Sequence, residues 1–278
     1  GVELYTFGGR ACVKEAGTKG AITSEAFVFD VAKQTYEQLP NIPKPKAGGI
    51  GFINRKNSES SVYTLLGGEG VQNQSSTQID HLLEFDPQTK QWSRNSPAVH
   101  YPIVQGTACT YDQAIWIFPE STQNSDITGP VTSPVLHWWG DDSPITELPD
   151  VHLPRPRRSF AGGRIGNEYF MVGGCSDTGE LMSAVDAFNF RSRTWRQPGS
   201  PDYARLSPSI AIHQTKLYLF GGKIRRNGKL EPCRFLEMYD SETDRWVTVA
   251  ASVPCTNADM KMFSLGGRLL FFGNDSSD

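Results

Sequence analysis

Short apolar runs closed by paired glycines recur along this chain, with polar, turn-rich stretches between them. The runs are Leu4-Tyr5-Thr6-Phe7-Gly8-Gly9, Tyr63-Thr64-Leu65-Leu66-Gly67-Gly68, Tyr169-Phe170-Met171-Val172-Gly173-Gly174 and Leu217-Tyr218-Leu219-Phe220-Gly221-Gly222. A further run, Ile115-Trp116-Ile117-Phe118-Pro119, has lost its glycines, and another, Leu269-Leu270-Phe271-Phe272-Gly273, keeps one. Each run reads as a strand. Glycine at its end can take positive φ angles and lets a neighbouring backbone approach closely. Self-similarity at a period of about 50 residues predicts one small sheet copied along the chain.

Taking the run as strand b of a four-stranded unit, strand c follows after a loop of variable length. It covers Ala26 to Asp30, Leu82 to Asp86, Val185 to Asn189 and Phe235 to Asp240. Six positions after each closing Asp or Asn stands an aromatic, pairing Asp30 with Tyr36, Asp86 with Trp92, Asn189 with Trp195 and Asp240 with Trp246. That spacing describes a hairpin whose Asp or Asn side chain bonds back to the turn backbone. The aromatic opens strand d and is expected to pack between adjacent sheets. Strand d ends at a Pro-rich link such as Leu39-Pro40-Asn41-Ile42-Pro43, and strand a follows in small and apolar residues such as Ser209-Ile210-Ala211-Ile212. The third unit departs from the pattern, with Trp138-Trp139 in strand c and Ile145 where the others carry Trp or Tyr.

Together the glycine pairs, the strand ends Phe29-Asp30, Phe85-Asp86 and Tyr239-Asp240, and the indoles Trp92, Trp195 and Trp246 resemble the kelch-repeat β-propeller family, within the superfamily of galactose-oxidase-like rings. The resemblance covers nearly the whole chain. It implies an all-β fold of four-stranded antiparallel blades around a central channel, as a single domain over residues 1–278. Strand b occurs six times but strands a, c and d five times each. Six blades with the last incomplete is the favoured closure; the alternative is five blades, with the strand near Ala258 to Ser264 completing the first unit.

Composition narrows the function. A formal net charge of −3 in 278 residues argues against a nucleic-acid binder working by bulk electrostatics. No apolar run approaches the ~20 residues of a membrane span. Cys12, Cys109, Cys175, Cys233 and Cys255 form no C-x-x-C pair. Their odd number favours a reducing, cytoplasmic compartment, and one bridge among the four at loop edges stays open. No H-x-x-x-H, G-x-S-x-G or phosphate-loop motif occurs, so no metal, cofactor or catalytic residue is expected.

The candidate chemistry lies in the links that enter the a strands, which bring Lys46, Tyr101, Arg158, Arg205 and Asn257 toward one face of the predicted ring. Arg grips a carboxylate with two parallel bonds. The resemblance implies a non-enzymatic module that recognises a protein or peptide, acidic by this argument, at the loop face, with a flanking domain in the full-length protein. The alternative is a carbohydrate-active kelch enzyme such as a sialic-acid mutarotase or epimerase. That would need a proton carrier facing the cations, for which Glu69, Glu120 and Glu231 lie in suitable loops.

Overall fold

The computed structural model describes residues 2–10, 20–56, 60–72, 75–78, 82–95, 103, 105–121, 133–140, 143–253 and 260–273. Their regular structure is all strand, and among them no helix is long and apolar enough to cross a membrane. The fold is the kelch-type β-propeller class expected, made of antiparallel blade sheets in chain order. The chain divides into two compact units, Gly1–Pro119 with Leu136–Glu147, and Glu120–Val135 with Leu148–Asp278.

In the first unit, blade one has three strands, Glu3–Arg10, Ile22–Asp30 and Thr35–Leu39. Blade two has four: Ile50–Arg55, Ser61–Leu66, Leu82–Asp86 and Gln91–Asn95. Blade three, whose residues divide between the two units, is Gly106–Tyr111, Ala114–Pro119, Pro134–Trp138 and Thr146–His152. The core lies between sheets rather than inside one. Ile50, Phe52, Leu66 and Leu82 meet Ile115, Ile117, Leu136 and Trp138 between blades two and three. Ile145, the residue standing in for an aromatic, is buried in that same cluster.

In the second unit, blade four is Ala161–Ile165, Glu168–Val172, Val185–Asn189 and Thr194–Arg196. Blade five is Ser209–His213, Lys216–Phe220, Leu236–Asp240 and Arg245–Ala250. The described residues thus form five blades, the smaller of the two numbers the sequence allowed. The strands Lys261–Leu265 and Arg268–Phe272 pair with each other in a sheet of their own, packed through Met262 and Phe271 against Phe220 of blade five.

The predicted hairpins form as their side chains dictate. Oδ1 of Asp30 accepts from the backbone N–H groups of Ala32 and Lys33, both at 3.0 Å, and Oδ1 of Asn189 does the same for Arg191 and Ser192. Four residues after each cap the chain turns left-handed, at Gln34, Lys90, Arg193 and Asp244, with φ of 54–57°. In blades two and five the aromatic six positions on reaches back one blade, whereas Tyr36 of blade one stays 61% exposed. Trp92 Nε1 donates to Pro40 O at 2.8 Å and Trp246 Nε1 to Gly199 O at 2.7 Å. Each indole also packs on the aromatic of its own strand c, with ring centroids 5.0 Å apart for Phe85 and Trp92 and 5.4 Å for Tyr239 and Trp246.

The glycine pairs exist to let the entry links pass. A Cβ on Gly174 (φ +91°) would stand 2.4 Å from the carbonyl oxygen of Arg158 in its own link, and one on Gly173 would stand 2.9 Å from that of Arg205 in the next. Gly179 has a similar φ of +81° but open space around it. Gly179→Ala is therefore expected to cost about 1 kcal/mol of backbone strain, and Gly174→Ala at least ~2 kcal/mol more. Equal losses of urea-unfolding free energy for the two variants would show that the link does not press on the pair.

Candidate functional site

Because each link enters strand a at the same register, residues can be compared between blades by position. Lys46, Arg157 and Arg205 each stand four residues before the first residue of strand a, at Ile50, Ala161 and Ser209. On strand c, Leu83, Asp186 and Glu237 share one register position, opposite Leu65, Met171 and Leu219 of strand b.

In blade four these two positions hold a buried ion pair. Arg157 Nη2 meets Asp186 Oδ2, while its Nη1 donates to Met171 O at 3.1 Å and Ala184 O at 3.0 Å. Arg155 adds a second contact to Asp186, at 3.0 Å. Blade five repeats the arrangement. Arg205 Nη2 meets Glu237 Oε2, its Nη1 donates to Phe235 O at 3.0 Å, and the other oxygen of Glu237 accepts from Asp202 N at 2.8 Å. Both arginines are fully buried. The expectation that Arg205 presents its charge to a ligand is corrected: its guanidinium is committed to tying the link to strand c.

Blade two breaks the rule. Leu83 replaces the acid, and Lys46, only 3% exposed, has no hydrogen-bond partner for Nζ. Loss of hydration with nothing to offset it pushes the amine down to about 8 from its ordinary 10.5. Blade three fills the equivalent register differently: Ile103 stands four before Thr107, the residue opposite Phe118, and Leu136 lies opposite Ile117, both within one apolar cluster. Lys46 therefore sits inward as well, and does not present an ammonium at the surface.

Arg158, one residue beyond Arg157, is the expected cation that stays half-exposed. Its Nη2 donates to the carbonyls of Asp177 at 3.2 Å and Ser176 at 3.4 Å, its Nε has no acceptor, and it makes no ion pair among the described residues. Around it stand Glu120, Ser121, Cys175 and Asp177. Ser121 Oγ donates to Asp177 Oδ1 at 2.9 Å. Burial pushes Glu120 up to about 7, against the opposing pull of the Ser159 N–H and the Arg158 charge. Burial also raises the Cys175 thiol. Glu120 is thus a carboxyl able to gain or lose a proton near neutrality, beside a cation without a counter-ion.

Tyr101 and Asn257 lie outside the described residues, as does the side chain of Glu69. Glu231 is exposed on a hairpin of blade five, Lys223–Arg226 paired with Lys229–Pro232. Among the described residues no three His, Cys, Asp or Glu side chains are grouped to hold a metal ion. Among the described residues Cys175 and Cys233 are free thiols. What sequence reasoning missed was the acid partner: Asp186 and Glu237 each stand three residues before the Asn or Asp that ends strand c, a signal in plain view.

A Kelch motif matches residues 204–251, which run from the entry link through all four strands of blade five. Among curated proteins the chain is similar to Kelch-like protein 38 of Homo sapiens, 22% identical over 252 residues, covering 88% of this chain and 40% of that one. It is similar to Kelch-like protein 25 of Xenopus tropicalis, 20% identical over 261 residues, with 91% and 40% covered. An F-box/kelch-repeat protein of Arabidopsis thaliana is 37% identical over 102 residues, 37% of this chain and 24% of that protein. The chain spans at most about 40% of the length of these relatives.

Two stability predictions follow from the link positions. Between pH 8 and 10.5 the unfolded chain holds a proton on Lys46 that the folded chain has released, so this residue makes stability rise with pH across that window, and below it the penalty is full. Lys46→Met should stabilise the protein by about 2–3 kcal/mol at pH 7, with the advantage fading as the pH climbs toward 10.5. A variant less stable than wild type in urea at pH 7 would contradict the assignment. Arg205→Met, which strands Glu237 without its partner, should cost about 3–5 kcal/mol, and Arg205→Met with Glu237→Leu should recover most of it. A single variant as stable as wild type would refute the pair.

Proposed function

We propose that this chain, which belongs to the kelch-repeat family, is a non-enzymatic recognition module that binds an acidic segment of a partner protein at the face carrying Arg158. One observation carries the reading: Arg158 is half-exposed, its side-chain hydrogen bonds go only to two carbonyls, and it makes no ion pair among the described residues. Glu120, the acid nearest in influence, is only partly ionised at neutral pH and so offsets that charge incompletely. A partner carboxylate supplies the missing counter-charge in a forked contact. The wider proposal includes Tyr101 and Asn257 as neighbours at the same face, and a flanking domain in the full-length protein that acts on what the module holds. Lys46 and Arg205 enter it only as residues that fix the links.

A second reading is supported by the same pair of groups. A sialic acid held by its carboxylate on Arg158 would bring its anomeric centre toward Glu120, whose near-neutral carboxyl suits proton transfer. Anomer exchange followed by NMR separates the two readings.

Arg158→Glu should reduce capture of acidic partner proteins by tenfold or more while the chain still unfolds in one cooperative transition, at a midpoint lowered by the lost carbonyl contacts and the new charge beside Glu120. Undiminished capture by that variant removes the reading. Loss of capture together with accelerated sialic-acid anomer exchange by wild type would favour the enzyme.

A further inference from the structure

The strands Lys223–Arg226 and Lys229–Pro232 form a regular two-stranded hairpin outside the four-stranded sheet of blade five. Its base is fixed. Lys223 exchanges two backbone hydrogen bonds with Leu206, at 2.8 and 2.9 Å, Cys233 N donates to Gly222 O at 2.8 Å, and Ile224 is buried. Its tip is an Asn227-Gly228 pair with φ of 50° and 78°, the two left-handed residues that a tight hairpin turn requires. Arg226 lies over the ring of Phe235, 5.9 Å from its centroid, and Phe235 stacks on Tyr203 at 4.4 Å. Despite this order, every residue from Arg225 to Pro232 is exposed. A hairpin whose outer part is wet on both faces contributes little to a core, and its leucine, Leu230, stays 45% exposed.

The charge is as local as the geometry. Lys223, Arg225, Arg226 and Lys229 against Glu231 give the ten residues a net +3, so the rest of a chain of net −3 carries −6. Arg225 pairs with Leu230 and Lys223 with Pro232, which places two cations and an apolar side chain on one face. Residues two apart on a strand are about 7 Å apart, the spacing of alternate side chains on any extended peptide.

We infer that this hairpin is a docking arm for an extended acidic peptide segment of a partner protein, with carboxylates at alternate positions facing Lys223 and Arg225. A nucleic acid or an anionic bilayer presents negative charge over a surface far larger than the arm. Such a surface would meet the −6 on the remainder of the chain, so the electrostatics favour a short segment that touches the arm alone. The inference rests on the recognition reading above and assigns it a second contact point.

The test uses the full chain and a fluorescein-labelled nonapeptide of alternating Glu and Val, with its Gln counterpart as control, read by fluorescence anisotropy. Wild type should bind the Glu peptide at least tenfold more tightly than the Gln peptide, and less tightly at 200 mM than at 50 mM salt. The double variant Lys223→Glu, Arg225→Glu should lose at least tenfold in affinity with its unfolding midpoint little changed, because Arg225 is exposed and Lys223 is tied to Leu206 through its backbone. Equal affinity of the double variant and wild type overturns the arm. If Arg158→Glu still weakens partner capture in that case, the recognition reading stands without it. Failure of wild type to prefer the Glu peptide, or tighter binding to oligouridylate or phosphatidylserine vesicles, overturns it as well.

Discussion

Blades two, four and five depend on one close approach, the passage of an entry link across the glycine pair that ends strand b. At Gly174 and Gly222 the carbonyl oxygens of Arg158 and Leu206 come within about 2.5 Å of where a Cβ would sit. No other residue type leaves that space, and the φ values of 91° and 73° add a second reason for glycine. Because the link is pinned there, the residue four before strand a arrives at the same place in blades two, four and five. The buried arginines, the lone lysine and the apolar substitute are variations on a position that the glycines create.

The chain contains its own comparison of ways to fill that position. Blades four and five use an arginine with a carboxylate, and satisfy the rest of the guanidinium with backbone carbonyls. Blade three uses Ile103 and Leu136, the apolar replacement that commonly matches or exceeds a buried ion pair in stability. The polar solution must therefore be valued for something besides stability. A guanidinium that bonds the carbonyls on either side of its acid fixes where the link crosses, which a pair of aliphatic side chains does not. Blade two has half of each solution, a lysine facing a leucine position, and its amine is the one group here that burial alone drives toward neutrality.

Most of the fold was legible in the sequence because its signals are local. A glycine pair, an Asp or Asn cap and an aromatic six residues on are read within one hairpin, and each finds its predicted partner. The candidate site was less legible, for a reason of parity. Neighbours in an extended link point to opposite sides, so Arg157 turns inward and Arg158 outward although they are adjacent. Counted by that alternation, Lys46 and Arg205 fall on the inward register, and the outward register holds Ala47 and Leu206. The predicted set of outward cations reduces, among the described links, to Arg158. Only the matching acids on strand c could have revealed this beforehand, and they lie about 30 residues from the arginines they hold.

That reduction changes where recognition can reside. Positions that repeat from blade to blade serve the blade: they cap turns, staple one sheet to the next and fix the links. A feature found in one blade and absent from the others does none of this work. Arg158 has no charged counterpart at its register in blades two and five, and the hairpin after strand b is basic in blade five, whereas that of blade two, Glu69–Gln72 with Ser75–Gln78, carries no cation. Both keep charge at the surface without a carboxylate to neutralise it, although the chain as a whole is acidic. An uncompensated cation on an acidic protein attracts an anion only at short range, where the local charge outweighs the screened field of the remainder. If the chain binds an acidic segment as proposed, selectivity for a compact segment over an extended polyanion would follow from the charge layout itself, with no pocket needed to enforce it.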